Sequence, residues 1–315
     1  MHAPLSVVIF TVLSGAGFGF VALFVLADLF ALGGAVDGGE LLGAAILGLA
    51  LITGGLLFST GHLTKPKEGW RALARVRSSW LSREAALAGL FYPVALVYVL
   101  SYALAGAEHN AFTVFFALLT ALLALGTVLT TGMIYACVRA VRDWNQSLTP
   151  INFLLLGLGA GATLLTLVRF AADADPAPLA ALGATILAVA LASKAAWYWG
   201  KHTAGNSSTS GTALGLSNGP VRLHFAGHAA PTFLDHELMA NNHLDRQPAW
   251  LYRSGVLVLG LALPALLLGL VAAGGGWWWA VLALLLGVGG ALFERWLFFA
   301  EARHAIRLYY GERRL

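Results

Sequence analysis

Eight apolar runs divide this sequence from end to end, and each is close to the ~20 residues that a helix rising about 1.5 Å per residue needs to cross a bilayer. They fall at approximately residues 5–30, 41–59, 85–105, 112–138, 153–172, 179–198, 256–273 and 277–299. Backbone amides inside lipid must be paired within their own segment, so each run is expected to be a helix. Of the 315 residues, 59% are hydrophobic and only 11% charged, against about 25% charged in an ordinary soluble domain. The expected fold is therefore an all-α integral membrane protein, a bundle of about eight transmembrane helices. Residues 1–200 would hold six spans and a polar loop at 62–84, residues 201–250 a long polar loop, and residues 251–315 two more spans and a tail. The first run follows no Lys or Arg and is about twice as long as the apolar core of a signal peptide, which reads as a retained span.

Charge placement carries more than the net value of +4. With eight spans, both termini share a side with the second, fourth and sixth connections. That side holds Lys65, Lys67, Arg71, Arg75, Arg77, Arg83, Arg139, Arg142, Lys194, Lys201, Arg222, Arg246, Arg253, Arg295, Arg303, Arg307, Arg313 and Arg314, while the other has only Arg169. By the positive-inside rule the crowded side is cytoplasmic, and both termini with it. A basic face is also what a docking surface for an acidic partner looks like. Juxtamembrane basic residues account for the pI near 9.4 without any nucleic acid. On the opposite side Trp277, Trp278 and Trp279 fit an interfacial aromatic belt.

The connection at 201–250 is too polar to enter lipid: Ser, Gly and Asn dominate early and His later. A flexible first half and an ordered second half are expected. Cys137 is the lone cysteine, so the chain can build neither an internal disulfide nor a cysteine-ligated cluster. Membrane haem needs axial histidines inside spans. Here His62 sits at a span end, and His2, His109, His202, His224, His228, His236, His243 and His304 lie in termini, turns or the long loop. No haem is expected. His224 and His228 are four apart, but nothing nearby completes a zinc set.

The stretch STGHLTKPKEGWRALARVRSSWLSRE at 59–84 is the most informative. Pro66 breaks the second helix; Trp70, Leu73, Val76 and Trp80 then recur on one face with Arg71, Arg75 and Arg77 off it, as in an amphipathic helix at the interface. His62 and Glu84 close the loop at the ends of successive spans. A site that oxidises or reduces a quinone needs proton-exchanging groups of this kind beside an apolar slot; plain helix-end hydrogen bonding is the alternative. Asp28 and Arg169 are ionisable residues within spans, but both lie near span ends on the uncrowded side, where snorkelling makes them cheap; pairing across helices is the alternative.

The same loop resembles the first polar loop of the dimethyl sulfoxide reductase anchor subunits (the DmsC type). There a His-Leu near the end of the second helix precedes a Pro, an Arg- and Asn-rich segment and a Leu-Ser-Arg-Glu that opens the third helix. In this sequence those residues are His62, Leu63, Pro66, Arg71, Arg75, Leu81, Ser82, Arg83 and Glu84. VIFTVLSGAGFGF near the N-terminus, NFLLLGLGAGATLLT at the fifth span and ERWLFFAEARHAIRLYYG near the C-terminus resemble the family too, so the similarity runs along nearly the whole chain. It implies a complex of three subunits. A molybdopterin catalytic subunit and a four-cluster iron–sulfur subunit would sit on an anchor that exchanges electrons with membrane ubiquinone or menaquinone. It also implies that His62 is the quinone-site histidine and Glu84 the loop acid, with Arg71 and Arg75 shaping the electrostatics of the quinone face or docking the partner.

Orientation separates members of this family. The dimethyl sulfoxide reductases keep their catalytic subunits outside the cytoplasm and oxidise menaquinol. Here the side bearing His62 is the one expected to be cytoplasmic, as in the anchor of the cytoplasmic sulfite dehydrogenases (the Soe type) of the bacterial inner membrane, which the N-terminal stretch also resembles. Two other readings remain at this stage. A secondary transporter would show internal repeats and interrupted spans, and a purely structural anchor would leave quinone activity indifferent to His62.

Overall fold

The computed structural model describes residues 5–60, 66–106, 108–203, 208–216, 221 and 249–310. Eight helices in it are long and apolar enough to cross a membrane: α1 (Leu5–Leu29), α2 (Gly38–Thr60), α3 (Trp80–Leu104), α4 (Ala111–Ala136), α5 (Leu148–Ala171), α6 (Ala177–Thr203), α7 (Ala249–Ala272) and α8 (Trp277–Ala300). No strand occurs among the described residues, only an isolated bridge between Val141 and His304. The all-α membrane bundle expected from the sequence is the architecture found. Most of the connection at 201–250, and His62 itself, lie outside the described residues.

Helix α1 is the central element and packs against α2, α4, α5 and α8. It is also the most enclosed span. Lipid and protein interior are equally apolar, so helices associate where small residues let backbones approach. The glycines at 15–19 and 157–161 provide that seam. A Cβ on Gly19 would lie 2.2 Å from the Gly157 carbonyl oxygen, and one on Gly161 would lie 2.3 Å from the Phe20 nitrogen. α7 opens with a helical turn, runs as a π-helix over Val256–Ala262, and continues as α-helix from Leu263. Within the π segment Gly260 crosses Gly290 of α8 at backbone contact. α2 and α3 hardly touch, and a cavity of ≈ 400 Å³ with apolar walls opens between them toward lipid.

At one end of the bundle the α4–α5 connection, the end of α6 and the C-terminal segment meet. Ala305 N–H donates to the Ala140 carbonyl at 2.8 Å, and the Trp144 indole N–H donates to the Phe298 carbonyl at 3.0 Å. Among the described residues this end holds every Lys and Arg except Arg169. The opposite end carries Asp28, Asp37, Glu40, Glu108, Asp173 and Asp175 with Arg169. There Trp277 and Trp278 stand exposed at the start of α8, as an interfacial belt requires.

Candidate functional site

The basic end contains the acid that the loop motif singled out. Hydropathy begins the third apolar run at Ala85, but Ser79 starts α3 earlier: it is extended and accepts from the Ser82 N–H at 3.3 Å, a side-chain N-cap. Glu84 therefore lies one turn inside α3, at 5% exposure, and not in the connection. The neighbouring Arg83 turns the other way. Its guanidinium donates to the carbonyls of Val76 (3.0 Å) and Arg77 (2.8 Å) and lies 4.2 Å from the Trp80 ring centroid, which fastens the loop to the helix.

Glu84 is hydrogen-bonded to Thr131 of α4. The same hydroxyl also reaches the Thr127 carbonyl at 2.9 Å. A threonine has one hydrogen to give. With Glu84 ionised, Thr131 donates to the carboxylate; with Glu84 protonated, the acid donates to Thr131, which is then released to Thr127. The pair can thus hold a proton at Glu84 or let it go without leaving either state unbonded. One turn further on, Tyr135 stacks on Phe153 of α5 (5.4 Å, 24°). Arg295 of α8 lies 3.6 Å from the centroid of that same Phe153 ring. Glu294 beside it is hydrogen-bonded to Lys194 of α6, whose ammonium sits 3.9 Å from the Trp197 ring centroid. Nearer the surface, Lys201 bridges Asp143 (3.1 Å) and Glu301 (3.0 Å), and Arg253 reaches Glu301 (3.0 Å).

The loop itself differs from the expected α-helix. Pro66–Arg75 is a 3-10 helix, in which residues three apart eclipse one another. The spacing of Trp70, Leu73 and Val76 matches that period, and all three are exposed, an apolar edge suited to the membrane interface. Arg71 pairs with Glu68 at 2.6 Å, and Arg75 is exposed. Among the described residues no hydrogen bond or ion pair joins either arginine to Glu84. Of the four expected site residues, the structure thus buries Glu84, leaves Arg71 and Arg75 on the exposed loop, and does not describe His62.

The ionisable residues within spans are more numerous than Asp28 and Arg169. Sequence order sorts Lys194, Glu294 and Arg295 to the basic side, yet they are buried inside the bundle. The available signal was spacing: Lys194 precedes Lys201, and Glu294 precedes Glu301, by seven residues on α6 and α8, which places them about 10 Å deeper. At the opposite end Asp28 and Arg169 do bond across helices, though not to each other. Arg169 binds Glu40 of α2 and the Gly33 and Gly34 carbonyls. Asp28 accepts from Tyr98 of α3 at 2.7 Å and lies 3.4 Å from His109.

The profile of the DMSO reductase anchor subunit (DmsC) family matches residues 1–300. The chain belongs to that family. A sulfite dehydrogenase subunit from Allochromatium vinosum is 32% identical over 331 residues, covering 98% of this chain and 99% of that protein. As a DmsC-family member the chain is a membrane anchor subunit of an oxidoreductase built from several chains. The structure brings the family-like stretches of the sequence together. The glycines of the N-terminal and fifth-span stretches form the α1–α5 seam, and Phe153 of the latter carries both Tyr135 and Arg295.

Proposed function

We propose that this anchor exchanges electrons between an iron–sulfur subunit docked on its basic face and membrane quinone, in a complex that oxidises sulfite in the cytoplasm. The observation that carries the proposal is Glu84, a buried acid bonded to Thr131 at the basic end and one turn from the loop that bears His62, Arg71 and Arg75. The whole-length similarity to a subunit of a sulfite dehydrogenase supports the choice of substrate.

The donor set suits a quinone. A carboxyl group with a switchable hydroxyl partner can hold a proton at the edge of an apolar, aromatic wall, and Tyr135, Phe153 and the apolar faces of α1 and α4 supply that wall. When bound, the quinone supplies chemistry in which two electrons and two protons move together. Glu84 holds or releases one proton at its carboxyl oxygen while Thr131 keeps that oxygen hydrogen-bonded in both states. His62, on the loop between α2 and α3, is proposed to handle the second proton. Arg71 and Arg75 lie on the exposed loop, where they would orient an acidic partner surface. The molybdopterin and the iron–sulfur clusters reside in the two partner subunits, and no haem is needed in the anchor. Both termini face the cytoplasm of a bacterial inner membrane, in keeping with the distribution of basic and acidic residues between the two ends.

The test is the complex purified in mild detergent, with its subunits identified and sulfite-dependent quinone reduction measured. Glu84→Gln and His62→Ala are expected to abolish quinone turnover while sulfite oxidation by an artificial soluble acceptor continues. Thr131→Val is expected to lower turnover about 10- to 100-fold, the worth of a charge-assisted hydrogen bond, and Thr131→Ser to keep it. Unchanged quinone turnover in Glu84→Gln, or purification of the chain without redox subunits, overturns the reading.

A further inference from the structure

Lys194, Glu294 and Arg295 are buried at 3%, 1% and 3% exposure, and two cations against one anion leave a net charge of +1. The outer tier, Lys201 and Arg253 against Asp143 and Glu301, is balanced within itself. Both cations share the one Glu294 carboxylate: Lys194 is hydrogen-bonded to it and Arg295 Nη2 lies 3.3 Å from its Oε2, while Arg295 Nε is buried with no hydrogen-bond partner. Such a charge in an apolar interior acts at longer range than it would in water.

The buried acid placed to answer it is Glu84. Contact is continuous: Glu84 to Thr131, one turn of α4 to Tyr135, Tyr135 onto Phe153, and Phe153 under Arg295. Among the described residues the other charges at this end are at least partly exposed or lie in the outer tier, Arg139 and Arg142 of the α4–α5 connection included. α1 and α2 carry their only charges, Asp28 and Glu40, at the opposite end, and α4 carries none. The loop residues Glu68, Arg71, Arg75, Arg77 and Arg83 are not buried, so water and salt screen them. His62 lies outside the described residues. With Glu84 ionised, the four buried groups sum to zero.

We infer that the Lys194–Glu294–Arg295 triad is the counter-charge of Glu84, and that it sets through space the pH at which Glu84 exchanges its proton. The three are positioning residues, acting on Glu84 from α6 and α8 across the Tyr135–Phe153 stack. The inference rests on the proton-handling role proposed for Glu84. It adds that three of the four buried groups lie more than 100 residues from the loop motif in sequence.

The experiment is infrared titration of the Glu84 carboxyl band in the intact complex, with the band assigned by its loss in Glu84→Gln. Arg295→Gln removes a positive charge and is expected to move the midpoint to higher pH by about one unit, a tenfold gain in proton affinity. Glu294→Gln removes a negative charge and moves it to lower pH. The double variant returns close to wild type, as does Arg295→Lys. If Arg295→Gln does not assemble, Lys194→Met removes the same unit of charge from α6 and carries the same expectation. Midpoints that stay fixed, or that move in one direction in both single variants, overturn the inference. The readout does not use turnover. If quinone turnover proves indifferent to Glu84, the functional reading fails while the midpoint shifts survive; fixed midpoints with Glu84-dependent turnover sink the triad alone.

Discussion

Arg169→Ala tests how the acidic end of the bundle is held. One nitrogen of the Arg169 guanidinium contacts both Glu40 oxygens at 2.7 and 2.8 Å, and another donates to the carbonyls of Gly33 (2.5 Å) and Gly34 (3.1 Å). The two side chains are 2% and 4% exposed, so water does not replace what the substitution removes. Taking one partner from a buried ion pair costs about 3–5 kcal/mol because the other charge is stranded. Here the α1–α2 turn also loses two acceptor contacts at Gly33 and Gly34, whose φ values of +82° and +106° make it a turn few residues but glycine can form. The expected loss for Arg169→Ala is therefore about 4 kcal/mol. Arg169→Met/Glu40→Leu, which removes both charges and keeps most of the volume, is expected to recover most of it, to within about 1–2 kcal/mol of wild type. Reversible unfolding in detergent micelles, run as a double-mutant cycle, measures both numbers. A loss below about 1 kcal/mol for Arg169→Ala would refute the buried-pair argument, and so would a double variant as unstable as the two single losses added together.

Two further outcomes follow from packing and topology. Gly161→Leu forces side-chain atoms against the Phe20 backbone and is expected to cost about 2–3 kcal/mol or prevent assembly, whereas Gly43→Leu, with nothing within 4 Å, is expected to be neutral in the same unfolding assay. In whole cells, exposed Cys137 at the basic end is expected to resist a membrane-impermeant maleimide until permeabilisation, while Glu108→Cys in a Cys137→Ala background labels from outside; the reverse pattern would place the basic face outside.

The number of spans and the basic face were both legible in the amino-acid order. Length and apolarity settle whether a segment can cross lipid, and charge settles which connections share a side, both without knowledge of neighbours. Even the departure at Pro66–Arg75 was partly written there, in an apolar spacing of three that suits a 3-10 helix better than an α-helix. The start of α3 was misplaced because hydropathy leaves Arg83 and Glu84 in the connection before the span, whereas the Ser79 cap decides where the helix begins.

What faces what was decided only by the tertiary structure. In a soluble helix the polar side marks the surface and the apolar stripe marks the core. In this bundle lipid and core are both apolar, so periodicity does not say that Glu84 turns toward Thr131, that Arg169 meets Glu40, or that Lys194 reaches Glu294 one hundred residues away. Helix order and rotation fix those partners, and the glycine contacts between α1 and α5 are among the features that set them. The sequence by itself determined that this chain lives in a membrane and which end is basic. Only the packing of α3, α4, α5, α6 and α8 decided that a buried acid and a buried excess of positive charge share that end, because each charge in lipid is tolerable only beside a partner that another helix brings.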